Sequence, residues 1–244
     1  SSDVCSSDLS QRVDLLLDFD ACKSIVKRGN GVYALKPVIK VVPFVLNGIN
    51  GFVDAAMLGN GVMVTAQQNG VVVQTTAPTS TGEFFLARLP AGTYDVVLTA
   101  NGHSTAVIAG VLVASATSVV PVSNTVTRIV MPSSATGTVS GTATLNPTST
   151  TSLAYVAAEQ TFGSAPTVTV KSVAADDLGA YSLSLPIGAP LLGQFTGILP
   201  ITLNLQSGMA GKYSVAASAT GYQTQTVSKD ISGANATENF VLVP

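Results

Sequence analysis

Two stretches of this chain follow one pattern, and that pattern decides the fold. The first reads TGEFFLARLPAGTYDVVLTANGH over residues 81–103. The second reads LGAYSLSLPIG over 178–188 and resumes as GKYSVAASATGY over 211–222. Each copy has a glycine turn, an alternating run, a Leu-Pro-x-Gly segment and a tyrosine eight residues before another glycine. An internal repeat of this kind constrains the architecture more strongly than any single motif.

The repeat predicts short strands joined by tight turns. Gly82 and Gly179 suit turns that require a positive φ. The residues after each glycine alternate between apolar and polar, which is the period of a half-buried strand. Because proline and glycine favour a tight turn in Leu-Pro-x-Gly, we expect an antiparallel hairpin around residues 89–92. The expected inward side chains are Tyr94, Val96 and Leu98, and the expected outward ones are Asp95, Val97 and Thr99.

Further strands are predicted outside the repeat. Runs rich in valine and threonine occupy 62–66, 71–75, 168–173 and 240–243. Both copies also open alike, at Ile49-Asn50-Gly51 and at Val139-Ser140-Gly141. The second copy carries an insertion at 189–210, and the alternation of residues 201–205 within it predicts an extra strand.

The sequence therefore predicts an all-β protein. Its modules are tandem antiparallel β-sandwiches of about seven strands each, Ig-like or prealbumin-like, at residues 48–134 and 135–244. No stretch longer than about ten residues has a convincing helical period, so the expected helix content is low. A β-strand fragment of a truncated domain, residues 10–47, precedes the two modules.

The repeat resembles the carboxypeptidase regulatory-like, or transthyretin-like, family of sandwiches, whose fold is carbohydrate-binding-like. The resemblance implies the fold strongly and function weakly, and it does not extend to the catalytic domain of zinc carboxypeptidases. The residues that carry it are Gly82, Phe84, Leu86, Leu89, Pro90, Gly92, Tyr94 and Gly102 in the first copy, and Gly179, Tyr181, Leu183, Pro186, Tyr213 and Gly221 in the second.

Residues 10–47 differ in composition from the rest, because residues 1–40 hold nearly half of the charged side chains. They predict strand, turn and strand, with the turn at Gly29-Asn30-Gly31 and an edge position at Pro37. Residues 11–42 resemble the C-terminal end of domain of unknown function 4382, a family of bacterial exported and lipoprotein-like proteins. This resemblance implies an extracellular or cell-envelope location and a domain, with a lipid anchor possible, upstream of the sequence.

Residues 1–9 match, at every position, the translation of a short-read sequencing adapter. We expect this segment to be an artefact of a metagenomic fragment and exclude it from the fold. The native N-terminus, and any signal or lipid-attachment sequence, is then missing. Cys5 is removed with the segment and Cys22 remains alone, so no intrachain disulfide is expected.

Composition excludes several classes of function. A net charge of -2 and a pI near 5.2 argue against a nucleic-acid-binding protein. Apolar runs such as residues 41–46 are far shorter than the roughly 18 residues of a transmembrane segment. A hydrophobic content of 46% is too high for a disordered chain.

The sequence offers few groups for catalysis or metal binding. The single histidine, His103, follows a turn glycine and has no partner readable from the sequence, so we expect a packing or surface role. Asp18 with Asp20, and Asp176 with Asp177, lack the ligand-rich loop that Ca²⁺ requires. Asp176 instead precedes a turn, where aspartate commonly bonds the backbone. We predict no enzyme, no catalytic or metal site and no cofactor.

Some related surface sandwiches close an isopeptide bond between lysine and asparagine. The first module has no lysine between Lys40 and Lys171 and cannot form one. The second module has the residue types, but their spacing does not predict a bond. They are Lys171, Lys212, Lys229, Asn235, Asn239 and Glu159.

The leading functional hypothesis is a noncatalytic bacterial cell-surface or secreted protein whose sandwiches act as spacer and interaction modules. Its partners would be cell-surface proteins or glycans, with no nucleic acid. Carbohydrate binding is the first alternative, although the chain has no Trp. Accessory domains of a larger exported enzyme are the second. The aromatic residues left over for sugar binding are Tyr155, Phe162, Phe195 and Tyr222.

Overall fold

The computed structural model describes residues 47–244, apart from 116, 150 and 164–165, and the backbone of four strands before them. Of those strands, β1 (Asp14–Phe19) pairs antiparallel with β4 (Ile39–Phe44), and β2 (Ile25–Lys27) pairs antiparallel with β3 (Tyr33–Leu35). The predicted turn at 29–31, Pro37, both cysteines and residues 1–9 lie outside the described residues.

The first sandwich contains seven strands of its own. Three form one sheet in the order β11-β5-β8, and four form part of a larger sheet in the order β10-β9-β6-β7. Their bounds are β5 (Gly48–Phe52), β6 (Met63–Gln68), β7 (Val71–Thr76), β8 (Glu83–Ala87), β9 (Gly92–Thr99), β10 (Ala106–Val113) and β11 (Val119–Pro121).

The second sandwich repeats this arrangement. One sheet has the order β15-β12-β20, with β21 also paired to β12, and the other has the order β14-β13-β18-β19. The strands from here to the C-terminus are β12 (Thr136–Leu145), β13 (Tyr155–Thr161), β14 (Thr167–Ala174), β15 (Ala180–Pro186), β16 (Leu191–Gln194), β17 (Asn204–Leu205), β18 (Lys212–Ser218), β19 (Gln225–Asp230), β20 (Ala236–Thr237) and β21 (Phe240–Leu242).

The prediction of an all-β fold with tandem sandwiches is confirmed. In the described residues the helices are two short 3-10 segments, Ala55–Asn60 and Ser207–Met209. The predicted runs at 62–66, 71–75, 168–173 and 240–243 correspond to β6, β7, β14 and β21.

The repeat found in the sequence has the same geometry in both sandwiches. The Tyr94 hydroxyl donates to the Pro90 carbonyl at 2.8 Å, and the Tyr213 hydroxyl donates to the Pro186 carbonyl at 2.5 Å. The insertion that separates Pro186 from Tyr213 does not disturb this contact. The turn glycines also agree, with a φ of 85° at Gly82 and 82° at Gly179.

The predicted hairpin around residues 89–92 is wrong. Strands β8 and β9 belong to different sheets, so the Leu-Pro-x-Gly segment carries the chain from one layer of the sandwich to the other. In the second sandwich, β15 and β18 are likewise in different sheets. Alternation gives the same sequence pattern in both cases, because strands of opposite layers and strands of one hairpin both direct alternate residues to one core.

Each sandwich has its own apolar core. Ile49, Phe84, Leu86 and Tyr94 are among the buried residues of the first, and Val139, Leu183, Tyr213 and Phe240 are among those of the second. The predicted inward residues Tyr94, Val96 and Leu98 are all buried, as expected. Leu191, from the insertion in the second repeat, belongs to the first core.

Candidate functional site

The insertion of the second repeat adds strands to the sheet of the first sandwich. Strand β16 pairs in parallel with β10, with Ala106 opposite Leu191 and Ala109 opposite Gln194. Strand β17 then pairs antiparallel with β16. The larger sheet of the first sandwich therefore has six strands, two of which come from sequence that follows the start of the second sandwich.

The sequence predicts this feature only in part. The alternation at 201–205 indicates an extra strand, and the structure has one at Asn204–Leu205. Strand β16 is missed because it is four residues long and follows a proline, which gives no readable period. Its partner, β10, lies more than 80 residues earlier in the chain, and periodicity does not report such distant pairs.

Close packing holds the insertion in place. Ile201 and Leu203 pack against the first core with Leu191. They also fold back over Gly193, where a Cβ atom would lie 2.8 Å from the Ile201 Cγ2 atom and 2.9 Å from the Thr202 carbonyl oxygen. A side chain at Gly193 would force this covering segment away, so the glycine is required by the close approach rather than by its φ.

A third apolar cluster lies between the two sandwiches. Val97 and Val107 from the first contact Phe162 and Val168 from the second, and all four are at most 4% exposed. The prediction that Val97 faces outward is correct for its own sandwich, because it lies opposite to the core. It is nevertheless buried, since the second sandwich covers that face.

Two reciprocal hydrogen bonds cross the same junction. The Gln67 side chain donates to the Thr169 carbonyl at 2.8 Å and accepts from the Thr169 amide at 2.8 Å. The Thr169 hydroxyl donates to the Gly70 carbonyl at 2.7 Å. Gln67 is 1% exposed, so its Oε1 depends on the Thr169 amide, while its Nε2 also donates to the Thr65 hydroxyl at 2.9 Å.

Two carboxyl groups lie beside the junction. Burial raises the pKa of Asp95, although its hydrogen bond from the Gly110 amide at 3.2 Å acts in the opposite direction. Burial also raises the pKa of Glu159. Asp95, together with residues of both sandwiches and of the insertion, lines an open cleft of about 500 Å³. The other lining residues are Asn69, Ala109, Gly110, Pro166, Thr167 and Gln194.

His103 has a structural position, as predicted for a packing residue. Its Nδ1 atom lies 3.0 Å from the Met131 carbonyl oxygen, and its backbone forms an isolated bridge with Ser133. The neighbouring Ser104 amide donates to the Pro132 carbonyl at 2.9 Å. This turn therefore attaches the segment between the sandwiches to the first of them.

The acidic pair at 176–177 forms a turn. Asp176 accepts from the Leu178 amide at 2.9 Å and from the Ala180 amide at 2.8 Å, which is the backbone role predicted for it. Among the residues that the structure describes, no group of three His, Cys, Asp or Glu side chains is arranged to hold a metal ion. The described helical segments are too short for a membrane span.

Four of the six residues considered for an isopeptide bond have other partners. Lys229 pairs with Glu238, and Lys171 donates to the Ser184 carbonyl at 3.4 Å. Asn235 and Asn239 each accept a backbone amide of β12, at 2.9 Å in both cases. These contacts support the β-sandwich itself rather than a covalent link.

The four aromatic residues proposed for sugar binding separate into different environments. Phe162 is buried between the sandwiches, and Phe195 packs against the first core. Tyr222 packs against the second core and donates its hydroxyl to the Pro147 carbonyl at 2.5 Å. Tyr155 is 50% exposed, which leaves it as the accessible member of the set.

A second open groove, of about 490 Å³, lies at one end of the second sandwich. Its lining is rich in hydroxyl groups, including Thr148, Ser149 and Ser152, and it includes the Asp176–Gly179 turn. Leu178 of that turn is 85% exposed.

No protein-family model matches the chain, and no curated protein matches it. The resemblance of residues 11–42 to domain of unknown function 4382 therefore stays a prediction. Solved structures with similar features include a streptococcal ancillary pilin, at 14% identity and a TM-score of 0.28, over 89% of this chain and 68% of that one.

Two further solved structures illustrate the range. A B repeat unit of the collagen-binding surface protein of Staphylococcus aureus is 13% identical, with a TM-score of 0.22, over 82% of this chain and 97% of that one. A cohesin–X-dockerin complex chain from Acetivibrio cellulolyticus is 22% identical, with a TM-score of 0.28 over 36% of this chain. This chain covers 56% of that one. TM-scores this low carry no argument about function.

Proposed function

We propose that the two sandwiches form one noncatalytic structural unit that acts as a spacer or interaction module at the bacterial cell surface. The observation that carries this proposal is that the insertion of the second repeat adds its strands to the sheet of the first sandwich. Strands β16 and β17 are separated from β10 in sequence by the start of the second sandwich, yet they complete the larger sheet of the first. A spacer benefits from this because bending between the modules requires the β10–β16 pairing to break.

The junction supports the same conclusion by three independent contacts. Backbone pairing joins β10 to β16, the apolar cluster around Val97 excludes water, and Gln67 bonds both backbone groups of Thr169. Modules joined only by a linker retain relative motion as their default behaviour. Here the contacts favour a single rigid body instead.

The cell-surface part of the proposal rests on the resemblance of residues 11–42 to a family of exported bacterial proteins. Under this proposal the partners are surface proteins or glycans. A lipid anchor and an upstream domain would lie before residue 10. The alternative of accessory domains in a larger exported enzyme is compatible with the same rigid unit.

Single-molecule force spectroscopy on the full chain, pulled from its two ends, tests the proposal. If the two sandwiches form one unit, both should unfold in a single cooperative step. The Gly193→Val variant should separate that step into two, while Gly208→Ala should not, because a Cβ atom at Gly208 would have nothing within 4 Å. Two steps in the unaltered protein would contradict the proposal.

Carbohydrate binding is the second candidate function, and one observation favours it. Tyr155 is 50% exposed on an outer sheet face, opposite Ala174 and Ser218 on the neighbouring strands. Small neighbours leave the ring accessible, and aromatic faces commonly stack on sugars. On a glycan array, a hit lost in Tyr155→Ala and kept in Tyr222→Phe would support this function. A blank array with folded protein would remove it.

A further inference from the structure

Strand β7 is an edge that neither charge nor short length protects against pairing. It is the last strand of the six-stranded sheet. Val71, Val72 and Val73 are 67%, 44% and 41% exposed, and no residue from Val71 to Thr76 is charged. Long, uncharged, apolar edge strands tend to pair with another strand, because their outer N–H and C=O groups are open.

The other edges of the two larger sheets are protected. Strand β17, at the opposite edge of the same sheet, has only two residues. In the second sandwich, β14 carries Lys171, and β19 carries Lys229 and Asp230. Short length and charge are two of the means that block an edge. Strand β7 has six residues and neither form of protection.

One difference between the two edges lies at an equivalent position of the two sandwiches. Gln74 pairs with Ala66 on β6, and Lys171 pairs with Ala158 on β13, in each case next to a bulge in the ladder. Because both edges have the bulge, the bulge does not distinguish them. The β14 edge differs in the charge of Lys171 and in Thr169, whose backbone groups are both bonded by Gln67.

Both side chains also perform the same structural task. The Gln74 amide donates to the Ala87 carbonyl at 3.0 Å, and the Lys171 ammonium donates to the Ser184 carbonyl at 3.4 Å. Each bond connects the edge strand of the larger sheet to the edge strand of the smaller one. A lysine can therefore make this connection between the two sheets. Gln74 makes one further contact that a lysine cannot, because its Oε1 accepts from the Thr75 amide at 3.1 Å.

We propose that β7 is a self-association edge, on which two copies of the chain pair their β7 strands antiparallel about a twofold axis. Because β7 is uncharged, a charged partner strand would gain no electrostatic attraction from pairing with it. Five of its six residues are β-branched, and such residues stabilise one another across a strand pair. Antiparallel self-pairing brings the valine half of one strand against the threonine half of the other, without repulsion. This self-association is independent of the cell-surface location.

Sedimentation velocity of the full chain, in reducing buffer and from low micromolar to millimolar concentration, tests the proposal. Reducing conditions exclude dimers linked through Cys5 or Cys22. The unaltered protein should form a reversible dimer with rising concentration. Gln74→Lys should remain monomeric, because it places two like charges close to the twofold axis. Gln68→Lys, the same change on the adjacent inner strand, should dimerise as the unaltered protein does.

Two further measurements keep the test decisive. If Gln74→Lys fails to fold by circular dichroism, Thr75→Lys replaces it, since Thr75 is exposed on the same strand. Hydrogen exchange should show that amides of 71–76 gain protection at high concentration. A monomer at every concentration, a dimer unaffected by both lysine variants, or protection gained at another segment would each overturn the proposal.

Discussion

The two sandwiches share one topology but differ on the outer face of the larger sheet. In the first, Val97 pairs with Val107 on that face, and both are buried by the second sandwich. At the equivalent positions of the second, Ala216 pairs with Thr226. Thr226 is exposed and Ala216 is partly buried. The same strands therefore carry valines where a neighbour covers them and small or polar residues where none of the described chain does.

This difference shows how contact between modules is recorded in an otherwise repeated sequence. The inner faces of β9 and β18 must be apolar in both copies, because each faces its own core. Only the outer faces are free to differ, so an apolar outer face identifies the covered module. A polar position differs between the copies as well. Gln67 and Glu159 are equivalent, opposite Asp95 and Ser214, and Gln67 bonds Thr169 of the other sandwich.

The largest expected effect on stability comes from giving the outer face of the first module the residues found at the equivalent positions of the second. The double variant Val97→Ala and Val107→Thr should lower the free energy of unfolding by about 3 kcal/mol, because it removes buried methyl groups and buries a hydroxyl. The reverse exchange, Ala216→Val with Thr226→Val, should change it by less than about 0.5 kcal/mol. Urea denaturation followed by circular dichroism measures both. Equal costs in the two modules would show that the faces are not different in the way proposed.

Detaching the insertion is expected to have the next largest effect. Gly193→Val should cost about 1–3 kcal/mol by overpacking, because its side chain would collide with the segment at 201–203. It should also expose β10 as an edge and raise hydrogen exchange in Ala106–Val113. Gly208→Ala is the matched control within the same insertion. If Gly193→Val leaves exchange at β10 unchanged, the insertion does not protect that edge.

Removing the polar contact across the junction should cost somewhat less. Gln67→Ala leaves the Thr169 amide and carbonyl without their partner, and we expect a loss of about 1–2 kcal/mol in the free energy of unfolding. Gln68→Ala, on the next residue of β6, should cost little because that side chain is exposed. Thermal unfolding of the two variants side by side distinguishes them. Similar melting temperatures would contradict the role given to Gln67.

The smallest expected effect is a pH dependence at the junction. Burial raises the pKa values of Asp95 and Glu159, so ionisation of the two groups in the folded state lowers the free energy of unfolding. This loss is present above the raised pKa values and is relieved as the pH falls toward the ordinary carboxyl range near 4, because the folded state then binds protons first. Stability should therefore rise on mild acidification. The double variant Asp95→Asn and Glu159→Gln should flatten this rise in urea titrations at several pH values.

One opposing group accompanies this prediction. The pKa of Asp230 is lowered, mainly by its side-chain hydrogen bond from Ser232, so its contribution is present at neutral pH and is lost as the pH falls through that lowered value. Its effect appears at lower pH than that of Asp95. A decrease in stability directly below neutral pH would contradict the assignment of the two junction carboxyl groups.

Sequence patterns predict the strands well because strand formation is local. The alternation around Phe84 and Tyr181 and the glycines at positive φ require only neighbouring residues, and both features are present in the structure. The layer to which each strand belongs is not local. For that reason the pattern of Leu-Pro-x-Gly predicts a hairpin, whereas the segment connects two sheets.

The candidate site is less predictable than the fold. Strand β16 pairs with a strand far away in the chain, and nothing in its four residues indicates that partner. Alternation places Val97 correctly on the outer face, but its burial depends on where the second sandwich lies. One signal is available in the sequence. Val97 and Val107 are two valines on an outer face, which is unusual for an exposed sheet, and the equivalent residues of the second copy, Ala216 and Thr226, are small or polar.

Hydrogen exchange at β16 tests the central claim most directly, since it asks whether the insertion is part of the first sandwich. We predict that the protected amides among Leu191–Gln194 exchange as slowly as those of β9 and β10, through unfolding of the whole unit. Exchange of Leu191–Gln194 at the rate of an open loop, while β9 and β18 stay protected, would show that the insertion is not part of the first sandwich.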